Sequence, residues 1–260
     1  MHDRCSFINF KKMNIRVFEN ARESGQAAGS AAAQLIREAI KKNGSANIIL
    51  ATGTSQFETL NQLVSEKNIN WSKVIMFHLD EYIGLPLIHP AGFRKYLQER
   101  FLSKVPELKA AFLINPETDA DAECERLGNL INKHPIDVAL VGIGENGHLA
   151  FNDPPADFET GQPYIIVELD EACRNQQFGE GWFTSIEEVP HRAISMSVKQ
   201  ILKSKNIICS VPERRKAIAV KNSVEQPVSN LFPASILQLH ENCTCYLDKD
   251  SSALLSGNSM

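Results

Sequence analysis

Short runs of apolar, β-branched residues alternate along this chain with stretches whose apolar positions recur every three to four residues. The runs predict strands at Asn47–Leu50, Val74–His78, Asp137–Val141, Tyr164–Leu169, Ala193–Met196, Asn206–Ser210 and Thr244–Leu247. Several are apolar at every position rather than every second one, as strands covered on both faces are. Spacing near 3.6 predicts a helix over Ala21–Lys42, closed by Lys-Lys-Asn-Gly. Further helices are expected at Ser55–Ser65, Gly92–Phe101, Asp119–Asn132, Ser197–Ser204 and Pro233–His240. Strand and helix alternating from end to end predict an α/β fold on a doubly wound, mostly parallel sheet. One domain is expected over residues 14–260, after a disordered lead at residues 1–13. Two irregular stretches are candidates for mobility: Asp153–Gln162, a possible lid, and Phe178–Phe183.

Composition narrows the partners. With 260 residues, 43% of them hydrophobic, the chain can bury a large core. A formal net charge of −4 implies no basic face, so nucleic acid is not an expected partner. No apolar run reaches the length of a membrane span, and the first residues lack the apolar core of a signal peptide. A cytoplasmic location is therefore expected. Six scattered cysteines, none in a Cys-x-x-Cys pair, fit reduced side chains better than disulfides or a zinc site.

Four places carry candidate chemistry. The strand ending at Leu50 runs into Ala51-Thr52-Gly53-Thr54-Ser55 and then a helix, which is an anion site if the amides and hydroxyls are free. The same hydroxyl residues would equally serve as helix caps. Asp80 and Glu81 follow the strand Val74–His78, and a carboxylate there can act as a general base or stay a solvated or capping acid. The strand Asp137–Val141 enters Gly142-Ile-Gly-Glu-Asn-Gly-His148, a glycine-dense turn that delivers one histidine, with Asn146 and Asp153 able to fix its tautomer. A lone histidine is also often structural. Finally, Glu213-Arg214-Arg215-Lys216 after the strand Asn206–Ser210 suits a phosphate clamp or a solvated charge cluster, and Arg174 is a weaker candidate of that kind.

Together, Ala51–Ser55, Asp80-Glu-Tyr-Ile-Gly-Leu85 with His89-Pro90, Asp119–Cys124, Gly142–Asp153 and Pro233–His240 resemble the glucosamine-6-phosphate deaminase family. Its wider superfamily includes 6-phosphogluconolactonases, and the resemblance spans about Asn14 to Leu255. The resemblance implies conversion of glucosamine 6-phosphate and water to fructose 6-phosphate and ammonia, without cofactor or metal, in a protein that can be a homo-oligomer. It places the C2-to-C1 proton carrier on Asp80 and ring opening on His148. The phosphate falls on Thr52, Gly53, Thr54, Ser55 and Lys216; Gly147 and Arg174 are expected as further substrate contacts from the residues themselves.

The chain also departs from the family pattern. Asn146 stands where an acid often does, Asp153 where a glutamate is expected, and Thr54 where the loop usually has a second glycine. A second phosphate arginine has no match in Gln176–Phe183. Residues 156–167 lack the basic residues that bind the activator N-acetylglucosamine 6-phosphate, so no activation is expected. Galactosamine 6-phosphate deamination, lactone hydrolysis and a purely sugar-phosphate-binding role are the alternatives.

Overall fold

The structure, a computed structural model, describes residues 13–256. The expected lead therefore lies outside the described residues except for Met13, which is buried in the core. Seven strands form one sheet in the order β1-β10-β9-β6-β2-β3-β5, every adjacent pair parallel. They are β1 Asn14–Phe18, β2 Ala46–Leu50, β3 Val74–His78, β5 Ala110–Phe112, β6 Val138–Val141, β9 Asn206–Val211 and β10 Cys243–Asp248.

Alternate residues of each central strand enter opposite cores, as the two-residue period of a strand requires. Ile48, Leu50, Met76 and Leu140 pack on one face against Ala28, Ala32 and Ile36 of α1 (Ala21–Asn43), Leu60 and Leu63 of α2 (Phe57–Ser65) and Leu97 of α3 (Phe93–Arg100). Ile49, Phe77 and Ala139 pack on the other against α4 (Ala120–Ile131), α6 (Val198–Leu202) and α7 (Ala217–Glu225). This is the doubly wound arrangement. α1 forms because alanines dominate it, Asn20 accepts from the Glu23 amide at its start, and Gly44 ends it in a left-handed turn.

Two expected strands lie elsewhere. β7 (Tyr164–Glu168) and β8 (Arg192–Met196) pair antiparallel with each other, and β8 pairs with β4 (Asp80–Tyr82), giving a separate three-stranded sheet. A small aromatic core of Tyr82, Phe93, Phe151 and Phe183 lies beneath it, with α5 (Glu171–Gly179). The stretch Pro233–Leu239 is a 3-10 helix rather than an α-helix.

The main sheet reverses its winding between β2 and β6. From β2 the chain proceeds outward to β3 and β5, and from β6 to β9 and β10 in the other direction. At such a point the loops leaving the two strands diverge and open a crevice at their carboxyl ends.

Candidate active site

The loop after β2 and the turn after β6 both emerge at that crevice. Ala51, Thr52, Gly53, Ser55, Gln56, Asp80, Gly142, Gly144, His148, Gln176, Gln177, Glu180 and Lys216 all line one cavity of about 60 Å³. Six of the residues expected to act together, Thr52, Gly53, Ser55, Asp80, His148 and Lys216, line it, although they come from four separate parts of the chain.

The β2 loop is a 3-10 turn, Thr54–Gln56, leading into α2. No side chain caps either helix start, so the hydroxyls are not used as caps. Among the described residues, the amides of Thr52, Gly53, Thr54 and Ser55 donate to no protein acceptor. Gln56, which the sequence did not single out, is buried and ties the loop to β9 through Nε2 and the Ser210 carbonyl, 3.1 Å apart. Lys216 sits at the end of the 3-10 turn Arg214–Lys216 and is 2% exposed. Burial, with Arg215 beside it, pushes its ammonium down to about 8.

The two acids after β3 separate because neighbours on a strand face opposite ways. Glu81 accepts the amides of Tyr82, Phe93 and Arg94 at 3.0, 3.1 and 2.6 Å, closing the N-terminus of α3. It is the structural acid. Asp80 faces the cavity with its side chain in no hydrogen bond among the described residues. Burial, and then the neighbouring Glu81 charge, raise its carboxyl to about 8.

His148 reaches the cavity from the glycine-dense turn. Its ring lies directly over Gly144, where an added Cβ would fall inside the imidazole, so only glycine fits. Gly147, at φ +89°, reverses the chain just before the histidine, outside the cavity lining. His148 Nδ1 lies 3.0 Å from Asp153 Oδ1. With Nδ1–H donating to Asp153, Nε2 is the proton-accepting nitrogen.

The departures at 146 and 153 are explained by what surrounds them. Asn146 Nδ2 donates to Asp153 at 2.9 Å and to Asp170 at 3.1 Å, while its Oδ1 accepts the His148 amide at 3.0 Å. A carboxylate at 146 would face two others. Asp153 also accepts the Asp170 amide at 3.0 Å, and Asp170 in turn caps α5 through Cys173. Burial raises the Asp153 carboxyl, but the bonds from His148, Asn146 and Asp170 outweigh it and hold the group below its usual range. The shorter side chain therefore reaches.

Among the described residues, His148, Asp153 and Cys173 present ligand atoms within 4.8 Å of one another and could hold a metal. Burial, then the carboxylates of Asp153 and Asp170, drive the Cys173 thiol far above its usual range. A protonated thiol is a poor ligand.

Arg174 does not reach the cavity. Its guanidinium donates to the carbonyls of Val189 and Ile186 at 3.2 and 2.7 Å. The neighbouring Arg215 does reach the β2 loop, donating to Thr54 Oγ1 at 3.2 Å. The expected lid, residues 153–162, sits on a different and larger cleft of about 860 Å³ between α4 and β7. The wall of the site is instead α5, through Gln176, Gln177 and Glu180. Gln177 is fixed by the Tyr82 hydroxyl at 2.7 Å and Gln176 by the Glu145 amide at 2.8 Å.

Comparison with known proteins places this arrangement. A family model described as glucosamine-6-phosphate isomerases/6-phosphogluconolactonase matches residues 19–246. A glucosamine-6-phosphate deaminase of Streptococcus pneumoniae (strain 70585) is 37% identical over 236 residues, covering 90% of this chain and 97% of the relative. Among solved structures, a monomeric glucosamine-6-phosphate deaminase superposes with a TM-score of 0.83 at 31% identity, covering 93% of this chain and all of that one. A 6-phosphogluconolactonase from Trypanosoma brucei shares the fold, with a TM-score of 0.78 at 19% identity over 94% of this chain and 99% of that one.

Proposed function

This chain belongs to the family of glucosamine-6-phosphate isomerases and 6-phosphogluconolactonases, and on that premise we propose that it deaminates glucosamine 6-phosphate to fructose 6-phosphate and ammonia. The observation that carries the reading is the meeting, in one cavity, of a buried carboxyl, a carboxylate-held histidine, a run of free amides and a buried lysine.

Each step uses one of these groups. The substrate's phosphate takes the amides of residues 52–55, with the Lys216 ammonium as counter-charge. His148 Nε2 opens the ring by moving a proton between the ring oxygen and the C1 hydroxyl, while Asp153 holds the imidazole tautomer. Asp80, once ionised, takes the C2 proton to give an enolamine and returns a proton to C1. The resulting C2 imine adds water and releases ammonia, so no redox partner is required. A carbon acid needs a base of high proton affinity, and burial gives the Asp80 carboxyl that affinity.

The test is ammonia release from glucosamine 6-phosphate and galactosamine 6-phosphate, alongside hydrolysis of 6-phosphogluconolactone. Ammonia from the gluco epimer is expected. Lactone hydrolysis with no ammonia from either amine would overturn the reading. His148→Gln is expected to slow turnover far more than it weakens substrate binding, and equal losses would make His148 structural.

A further inference from the structure

The cavity is small for a sugar phosphate, and the basic run beside it is crowded with acids. Its volume of about 60 Å³ is well below the few hundred typical of small-molecule sites. Two cations, Arg215 and Lys216, face three carboxylates, Glu145, Glu180 and Glu213.

Arg215 is the centre of this cluster. Its Nε lies 2.6 Å from Glu213, its Nη1 2.9 Å from Glu145 and its Nη2 3.8 Å from Glu180. The same Nη2 donates to Thr54 Oγ1 in the β2 loop. The Glu180 side chain is 6% exposed. Its second oxygen stands 3.8 Å from where a Cβ on Gly53 would sit, so the carboxylate lies against the loop whose amides are free. Glu180 follows the last residue of α5 and is flanked by Gly179 and Gly181, which leave its backbone loosely constrained.

We propose that Arg215 is a second phosphate-binding cation and that Glu180 is its displaceable counter-ion, holding the phosphate subsite closed until a sugar phosphate drives it out. The inference rests on the reading of residues 52–55 and Lys216 as the phosphate grip. Displacement moves one negative charge away and widens the cavity, and the guanidinium is then free for bidentate contact with phosphate oxygens. A sugar without phosphate has nothing with which to displace the carboxylate, so the pair also selects for phosphorylated substrates.

Calorimetric titration of inorganic phosphate into the full-length protein and its Glu180→Gln, Arg215→Gln and Lys216→Gln variants tests this. Glu180→Gln is expected to bind phosphate about tenfold tighter, and Arg215→Gln about tenfold weaker. Misfolding cannot mimic tightening. Unchanged or weaker binding by Glu180→Gln, or unchanged binding by Arg215→Gln, overturns the proposal. If Lys216→Gln alone loses phosphate, only this inference fails; if Lys216→Gln also binds like the parent, the phosphate site itself is misassigned.

Discussion

Replacing Asp80 with asparagine should abolish turnover and stabilise the fold, and the size of the gain follows from its burial. The carboxyl has a proton affinity near pH 8 in the folded chain and an ordinary value of 3.8 when exposed. Between those limits the unfolded state ionises and the folded state does not, so the folded state binds more protons and loses stability as pH rises. At pH 7 the penalty is about 4 kcal/mol, from roughly 3.2 pH units at 1.36 kcal/mol each. Asparagine keeps the shape and removes the titration. Its amide must find partners in the cavity, which lowers the net gain to about 1–4 kcal/mol. Urea unfolding of both proteins at pH 4, 5.5, 7 and 8.5 reads it directly. The difference should be smallest at pH 4, where the folded carboxyl is protonated and the unfolded one is only about half ionised, grow up to pH 8 and level off above. A difference that does not change with pH would refute the argument, as would an asparagine variant less stable than the parent at pH 7. Ammonia release should fall by at least about 100-fold in the same variant.

Three further outcomes follow from the site. Gly144→Ala displaces the His148 ring; kcat should drop by about tenfold or more with far-ultraviolet circular dichroism unchanged, and parental kinetics would show that the ring is free to move. The rate constant kcat/KM should form a narrow bell, rising as Asp80 ionises near pH 8 and falling as Lys216 loses its proton in the same region. Lys216→Arg should remove the alkaline limb, since arginine stays charged, and an unchanged limb would assign it elsewhere. N-acetylglucosamine 6-phosphate should not activate the enzyme, because the cleft between α4 and β7 is lined by Asp121, Glu125, Asp157 and Glu168 with no lysine or arginine among its lining residues. A several-fold rise in rate on adding it would count against this.

The central strands were legible because each is an unbroken apolar run, as in Ile48-Ile49-Leu50 and Val138–Val141. β1 was not, since Asn14 and Arg16 occupy an edge strand with solvent on most positions. β5 has only three residues, Ala-Ala-Phe, too few for any period. α5 was hidden by the polar run Arg174-Asn-Gln-Gln177, in which Gln176 and Gln177 are buried by packing against the site rather than by an apolar stripe. The three-stranded sheet depends on β4 meeting β8 more than a hundred residues later, which no local pattern encodes. At the site, Asp80, His148 and the β2 loop were readable as strand ends. Arg174 was read as a substrate contact although it lies in α5 with its guanidinium on two carbonyls, while Arg215 of the basic run reaches the Thr54 hydroxyl, and only the fold decides which carbonyls or hydroxyls each one meets.

At Leu79, the single residue between β3 and β4, the chain passes from the main sheet to the second, and this has a consequence for how the architecture diversifies. The loop of residues 52–55 and the histidine hang from the main sheet, whereas Asp80 rides on the antiparallel one, and the Tyr164 hydroxyl on the His78 carbonyl at 2.7 Å stitches the two sheets together. A lactone hydrolysis abstracts no proton from carbon, while an isomerisation must. Holding the proposed base on its own small platform means that a substitution there can alter the carbon chemistry without disturbing the loop proposed to take the phosphate.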